Sequence, residues 1–534
     1  MKKLLMLFSV ILVFSGVLAF QKVGKEVLVN SAAYIPAMCY TKTKDENGAV
    51  HNPCYACHTK GVEPNYMDDT ALQVDLAFPE YALKNRWKNL FKDRTKQVSN
   101  ISDKKILQYV QSSNYFDEEH EIILKSSLPI DFAGYVPDCY FNFDSFGFDH
   151  GLSGELTGWR AFRYYPFLGT FWPTNGSTDD VLIRLSEKFM KDTDGSFSLE
   201  VYKANLAIVE AVVKQKTVPC EGIDERVIKI DLDNDGQLGI ARSVDFGWPD
   251  KKMKYAGLAR DEKLAGGLYP VGTEILHTVR YIDWDEDNNA PKLSARMKEV
   301  RYAKKTDWYN YAELKESYVG ELKGTYVNGE VPMVRYNGNG DSGLQTGSGW
   351  VYQAFIEAND GSLRPQTTEE TEFCMGCHSG LGATVDTIFS FHRKLEGIDK
   401  HKIDSGWNHW TQKGLKGLPD QIINYRSAGE KREYAFYLEN NNAGDEFRGN
   451  EQIMKTFFNE DGTLKQGMLD KLEDDISVLL FPTKKRAMQM NKAYRVIVKE
   501  QSYIYGRDAT VTPPKNVHEE LKENADSGVK RAVY

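Results

Sequence analysis

Two copies of one cysteine–histidine pattern constrain this 534-residue chain more than any other feature. Residues 54–58 read Cys-Tyr-Ala-Cys-His, and residues 374–378 read Cys-Met-Gly-Cys-His. We call them the first and the second pentapeptide. The whole chain holds seven Cys and ten His, so chance does not account for two matches to the same spacing. The repeat predicts the same chemistry at both places.

Cys-x-x-Cys-His is the pattern by which haem c is attached to a polypeptide. Two thiols in a short helical turn add across the two vinyl groups of one porphyrin, and the next residue then lies under the iron. An imidazole at that position supplies the proximal ligand. The sequence therefore predicts two haem c groups, held by these residues: Cys54, Cys57 and His58 for the first, and Cys374, Cys377 and His378 for the second.

Two other chemistries use paired cysteines. A thioredoxin-like redox pair follows a strand, opens a helix and does not require the histidine. A zinc site brings two Cys-x-x-Cys pairs together, usually about 15–20 residues apart. Here Cys54 and Cys374 lie far apart in the chain, at opposite ends of the protein. The spacing and the two histidines favour haem.

At these ten residues the chain resembles the c-type cytochromes. The resemblance covers only the two pentapeptides and a few flanking positions. It implies thioether attachment at the four cysteines and proximal ligation by His58 and His378. It does not identify the distal ligands.

The N-terminal segment predicts export. Lys2 and Lys3 precede an apolar run, Leu4–Ala19, that ends with small residues at Val17 and Ala19. This arrangement is typical of a secretory signal peptide over residues 1–19. No cysteine follows the run directly, which disfavours a lipid anchor. No later segment is apolar enough to span a membrane, so we expect a periplasmic protein without a transmembrane anchor after cleavage.

Composition narrows the partners and the fold. The net charge of −9 argues against nucleic acid, which requires a basic surface. We expect an α+β multidomain protein, with a first haem region over 20–170, a β-rich middle over 171–345 and a helical second haem domain over 346–534. Oligomeric state is left open.

Local patterns support this division. Ile275–Trp284 and Met297–Ala303 flank a polar loop and predict a hairpin. Val227–Leu232 reads as a further strand. Met490, Tyr494, Ile497 and Val498 share one helical face.

The sixth coordination position of each iron has several candidates. For each histidine, the alternative to iron ligation is the commoner hydrogen-bonded or surface position. An upstream His51 is badly placed for its own haem but could serve the other one. The distal candidates are these: His51, His150, His277, His392 and His409. Methionine is the other option, and thirteen Met leave it open.

A possible calcium loop lies at 231–237. Its oxygen-bearing positions 1, 3, 5 and 7 are Asp231, Asp233, Asp235 and Gln237, with Gly236 at the turn. Position 12 would be an arginine, so this is not a standard EF-hand. Shorter loops of this kind bind calcium with a carboxylate from elsewhere, and a solvated turn is the alternative.

The other three cysteines are less informative. Cys139 and Cys220 lie in loop-like settings and could form a disulfide in an oxidising compartment. Cys39 would then be a free, structural thiol. The pairing stays open at this point.

Two functions from different classes fit these features. The first is electron transfer between redox partner proteins by two six-coordinate haems. The alternative is a peroxidase-like di-haem oxidoreductase with one open iron site, because two haems in so long a chain leave protein to spare. A docking role for the β-rich middle is a third hypothesis. No catalytic residues can be named from the sequence.

Overall fold

The computed structural model describes residues 30–44, 48, 50–63, 65, 78, 80–167, 178–247, 253–318, 336–389, 391–396, 405–440 and 450–522. The predicted signal peptide over 1–19 lies outside the described residues. The architecture is α+β, with a large antiparallel sheet in the middle and helices on both sides of it in the chain, as the sequence predicts.

The central sheet has ten strands among the described residues. Eight lie in the order β1-β2-β4-β7-β8-β11-β10-β9, while β12 pairs with β11 and β3 with β7. Two small hairpins, β5-β6 and β13-β14, stand apart from it. The strands are β1 Phe148–His150, β2 Leu156–Phe162, β3 Thr178–Asp179, β4 Val181–Arg184, β5 Val218–Asp224, β6 Ile240–Val244, β7 Glu274–Asp285, β8 Ala290–Lys305, β9 Asn337–Asn339, β10 Gly343–Gln345, β11 Trp350–Glu357, β12 Leu363–Pro365, β13 Ile422–Tyr425 and β14 Gly429–Arg432.

The longest pairing, β7 with β8, is the hairpin predicted from the sequence. Successive side chains of a strand point to opposite faces, so a sheet covered on both sides has two apolar faces. One face carries Ile183, Ile275 and Ala303. Ile275 of β7 is paired with Ile183 of β4 on one side and with Ala303 of β8 on the other. The other face carries Leu182 and Leu276. The two sets belong to separate buried clusters.

Helices cover the sheet and fill the C-terminal part. They are α1 Thr95–Ser99, α2 Asp103–Gln111, α3 Ile123–Ser127, α4 Leu199–Lys214, α5 Glu225–Ile228, α6 Thr368–Met375, α7 Glu433–Asn440, α8 Glu451–Phe457, α9 Gln466–Asp474, α10 Ser477–Leu480 and α11 Lys484–Glu500. The predicted helical face on α11 is buried. Buried Asn491 of α11 bonds both backbone groups of Ile282 in β7, at 3.0 and 2.7 Å, and fixes the helix on the sheet.

The strand predicted over Val227–Leu232 is wrong. The segment begins in the short helix α5, which Asp224 caps by accepting a hydrogen bond from Arg226 N. Lys229 then adopts a left-handed conformation, with φ of 57°, and ends the helix. A local cap outweighs β-propensity here because the apolar run is too short to decide the element.

The two ends of the described chain pack together. Thr41 bridges Val517, and Lys84 bridges Glu520. Asn30 also donates to Ile504 O at 3.2 Å. The predicted division at 170 and 345 stays a prediction. No helix among the described residues is long and apolar enough to cross a bilayer.

Candidate functional site

The two pentapeptides adopt the same local turn. In the second, His378 N donates to Cys374 O at 3.0 Å, and in the first, His58 N donates to Cys54 O at 2.9 Å. The second turn closes α6, whose N-terminus is fixed by a reciprocal capping box between Thr367 and Glu370. The first turn is a 3-10 helix over Pro53–Ala56. Both turns hold their two thiols in the short helical geometry that the attachment chemistry requires.

The first pentapeptide lies against the loop that directly follows the second one, although 320 positions separate the two in the chain. Ala383 N donates to Cys57 O at 3.0 Å. A side-chain carbon added to Gly382 would fall 1.9 Å from Thr59 O, so only glycine permits this approach. The positions of the pentapeptides in the sequence predict two sites at opposite ends of the protein. The fold brings them together, and no sequence signal for this contact exists in either pentapeptide.

An apolar cavity adjoins the second pentapeptide. The space outside atoms amounts to about 880 Å³, part of it open to solvent. Cys374, Cys377 and His378 line it directly. Its aromatic lining consists of Tyr164, Phe167, Tyr302, Tyr352, Phe373 and Phe389. A flat apolar ring bound to both thiols fits these walls.

The imidazole of His378 is oriented for metal ligation. Its Nδ1 lies 2.8 Å from Thr387 O, and since a carbonyl only accepts, Nδ1 carries the proton. Burial lowers the pKa of His378 to about 4, so the ring is neutral at neutral pH. Nε2 is therefore the free electron-pair donor. A hydrogen bond from the other ring nitrogen to a carbonyl is the usual support of a ligating histidine.

A strained turn presents that carbonyl. Asp386 and Thr387 have φ of 51° and 62°, and Val385 pairs with Ile388 across them. The fully buried Lys305 holds the Asp386 carboxylate at 2.8 and 3.0 Å. This buried ion pair fixes the turn that fixes His378. The sequence carries no glycine or asparagine at these positions, so turn patterns do not reveal it.

The sheet supplies the opposite lining. His277 of β7 is the register partner of Arg301 in β8, and both line the cavity. His277 and His378 are the two histidines among its described lining residues. Of the five distal candidates from sequence, His277 is thus the one that shares this cavity.

Two other candidates are turned toward protein groups. His150 Nδ1 lies 3.0 Å from Gly154 O, and its Nε2 lies 3.3 Å from Asp144. His409 is buried, with Nδ1 2.6 Å from Thr411 Oγ1 and Nε2 3.4 Å from Asp180. Neither histidine is directed at a pentapeptide.

The last two distal candidates lie nearer the first pentapeptide. His51 precedes it, and its N–H donates to Thr43 O at 2.7 Å. His392 follows Phe391 in a 3-10 helix, where burial lowers its pKa to about 4. The neighbouring Arg393 is close enough to Cys57 to influence the pKa of that thiol. Both remain predictions.

The thiols do not have the character of a redox pair or a zinc site. Desolvation raises the pKa of Cys377 to about 12 and that of Cys54 to about 11, whereas reactive pairs have lowered values. Zinc requires several ligand atoms around one point. Among the described residues the one group of three such atoms within 4.8 Å of each other contains no cysteine. The zinc alternative therefore fails on geometry, even though the pentapeptides do meet.

Two residues of that group, Asp231 and Asp233, belong to the predicted calcium loop, and the third, Glu225, lies outside it. Carboxylate oxygens of Asp231, Asp233 and the buried Glu225 lie within 4.8 Å of one another. Asp235 and Gln237 are not in the group. Glu225 precedes the loop on α5, and it is the carboxylate from elsewhere that such a loop requires. Calcium stays a prediction.

All seven cysteines, each a described residue, are free thiols. Cys139 and Cys220 lie in different buried clusters of the sheet. Burial raises the pKa of Cys220 to about 12. The disulfide left open by the sequence does not form between these two residues.

Comparisons with known proteins decide the family. The profile of a family described as "-like lipoprotein" matches residues 23–474. The chain is 32% identical to an "Uncharacterized lipoprotein" of Aquifex aeolicus (strain VF5), over 94% of this chain and 91% of that protein. No solved structure matches. Lipoproteins are exported proteins, so the expectation of export is confirmed at this coarse level. The resemblance to the c-type cytochromes is wrong as an assignment of family, because it covers two pentapeptides whereas the profile covers most of the chain: the chain belongs to the family described as "-like lipoprotein".

Proposed function

We propose that this protein acts outside the cytoplasm as a carrier of electrons between redox partner proteins, with one haem covalently attached at each pentapeptide. The observation that carries the proposal is the contact between the two pentapeptides, with the neutral His378 beside an apolar cavity. Attachment sites in contact bring two redox groups close together, and electron transfer requires closeness.

The chain's own residues do most of what such a carrier needs. The thiols of Cys374 and Cys377 would hold the porphyrin, and Nε2 of His378 would ligate its iron. The aromatic walls of the cavity would shield the haem from part of the solvent, which helps to set its reduction potential. The haem itself supplies the one-electron chemistry.

The first pentapeptide has a different setting that supports exchange with partners. Tyr55 packs on Tyr425 and Phe436, with ring centroids 5.4 and 5.0 Å apart. Its hydroxyl lies 3.0 Å from the Ser427 hydroxyl in an exposed hydrogen bond. Because the Tyr55 hydroxyl takes part in an exposed hydrogen bond, we propose the first site as the place where electrons enter or leave.

We propose that the mature chain begins upstream of Cys39, which is exposed in the structure. In bacterial lipoproteins the lipid-bearing cysteine becomes the first residue of the mature protein. Cleavage before Cys39, the first cysteine of this sequence, would remove the buried Ala32 and Ala33. It would also remove Ile35, whose carbonyl accepts a hydrogen bond from Trp87 Nε1 at 2.9 Å. The cost of losing these contacts argues for cleavage upstream of residue 30, in accord with a cut after Ala19.

Mass spectrometry of the secreted protein tests the attachment. We expect the polypeptide mass plus two haems. The double variants C54A/C57A and C374A/C377A should each lose one haem, and C139A/C220A, which removes two buried thiols elsewhere, should lose none. A wild-type mass without haem, or zinc bound to the thiols, would end the proposal.

Spectroscopy separates the carrier from the di-haem oxidoreductase. Two low-spin haems that are reduced and reoxidised without binding cyanide fit the carrier. A high-spin haem that binds cyanide or reacts with peroxide would favour the oxidoreductase instead.

A further inference from the structure

One wall of the cavity is built by the second pentapeptide and the other by the central sheet. His378 follows α6, while His277 lies within β7, 101 residues earlier in the chain. Two imidazoles that reach one apolar cavity from separate elements form the arrangement in which an iron is held from both sides.

The lining around His277 is otherwise mostly apolar. Ile275 and Ala303, on the same face of the sheet, are buried in the main core cluster. His277 borders the same cavity as His378, so a group bound in that cavity would have an imidazole on each of two walls.

The charged neighbours of this histidine are paired with one another. Glu299, two positions from Arg301 in β8, accepts hydrogen bonds from Arg301 and Arg507, each at 2.8 Å. Arg301, the register partner of His277, is therefore paired with an anion on its own strand.

We propose that His277 is the sixth ligand of the haem attached at Cys374 and Cys377, opposite His378. This inference rests on the proposed function, because it requires a haem at that site. It assigns bis-histidine, low-spin iron to the second haem and makes its reduction potential depend on a residue of the sheet.

Replacement of His277 tests the assignment. In H277G, carrying both haems by mass, one of the two haems should become high-spin in optical and electron paramagnetic resonance spectra. Added imidazole should restore the low-spin signal, which a merely structural defect would not allow. The matched control is H150G, another sheet histidine, and its spectra should equal those of the wild type.

The outcomes separate this inference from the proposed function. Absence of haem from the wild type overturns the proposed function. Two haems with unchanged low-spin spectra in H277G overturn the inference alone. If H277G does not fold, H277M serves instead: a new methionine–iron charge-transfer band in the near infrared supports the assignment, and an unchanged near-infrared spectrum overturns it.

Discussion

The two pentapeptides share one backbone turn but differ in what surrounds them. The second is seated at the end of a capped helix, beside a partly open aromatic cavity, with its histidine oriented by a buried carbonyl. The first forms part of a short 3-10 helix and packs against the aromatic side chains of Tyr425 and Phe436. The comparison teaches that the pentapeptide defines the attachment chemistry, whereas the surrounding fold defines the coordination, the access and the potential of each haem.

The largest effect is expected at the buried Lys305–Asp386 ion pair, which supports the turn beside His378. In K305M the buried Asp386 carboxylate loses its cation, so unfolding free energy should fall by about 3–5 kcal/mol. Chemical denaturation measures it. The double variant K305M/D386N should recover part of the loss. The control K304M changes a half-exposed neighbour on the same strand, and an equal loss there would contradict the role of the pair.

A second prediction concerns His409, which the sequence could not separate from His277. Burial alone would raise the pKa of Asp180, but nearby His409 and Arg280 lower it to about 2. A lowered pKa means that the stabilisation is complete above the ordinary pKa of 3.8 and is lost as the pH falls from about 4 toward 2. Its size is about 2 kcal/mol.

The acid limb of the stability curve measures this contribution. In D180N the loss of stability below pH about 4 should become shallower. The exposed control D474N should leave the limb unchanged. An unaltered limb in D180N would show that His409 is not tied to Asp180 and would return it to the list of iron ligands.

The contact between the pentapeptides predicts a third effect. In G382A the new side-chain carbon would collide with Thr59 O, and overpacking of this kind costs about 1–3 kcal/mol. We expect lower stability and a weaker magnetic interaction between the two haems. G414A is the matched control, since no atom lies within 4 Å of its added carbon. Equal behaviour of the two variants would contradict the close approach.

The smallest effect lies at the predicted calcium loop, remote from both pentapeptides. Calcium at ten times its dissociation constant should stabilise the protein by about 1.4 kcal/mol, seen as a higher melting temperature. E225Q should reduce that shift, whereas E187Q, at an exposed glutamate, should not. If calcium does not shift the wild type, the loop is a solvated turn.

Sequence reasoning predicted the fold where patterns are long and local. The β7–β8 hairpin and the helix α11 follow from alternation and from helical spacing over many residues. It failed for Val227–Leu232, where a single capping side chain decided a short segment. The sequence does not reveal that Glu225 lies beside Asp231. The turn at Lys229 brings the helix residue back to the loop, and its conformation is not readable from the sequence.

The candidate site divides in the same way. Cys54, Cys57 and His58, like Cys374, Cys377 and His378, are readable from spacing because their turn is closed by hydrogen bonds between near neighbours in the chain. The sequence also determined the α+β class and predicted export. Only the tertiary structure decided that the two turns lie close together, that His277 and His378 line one cavity, and that Lys305 supports Asp386. Those contacts join residues far apart in the chain, and they arise because the sheet must bury both of its faces, which no local pattern encodes.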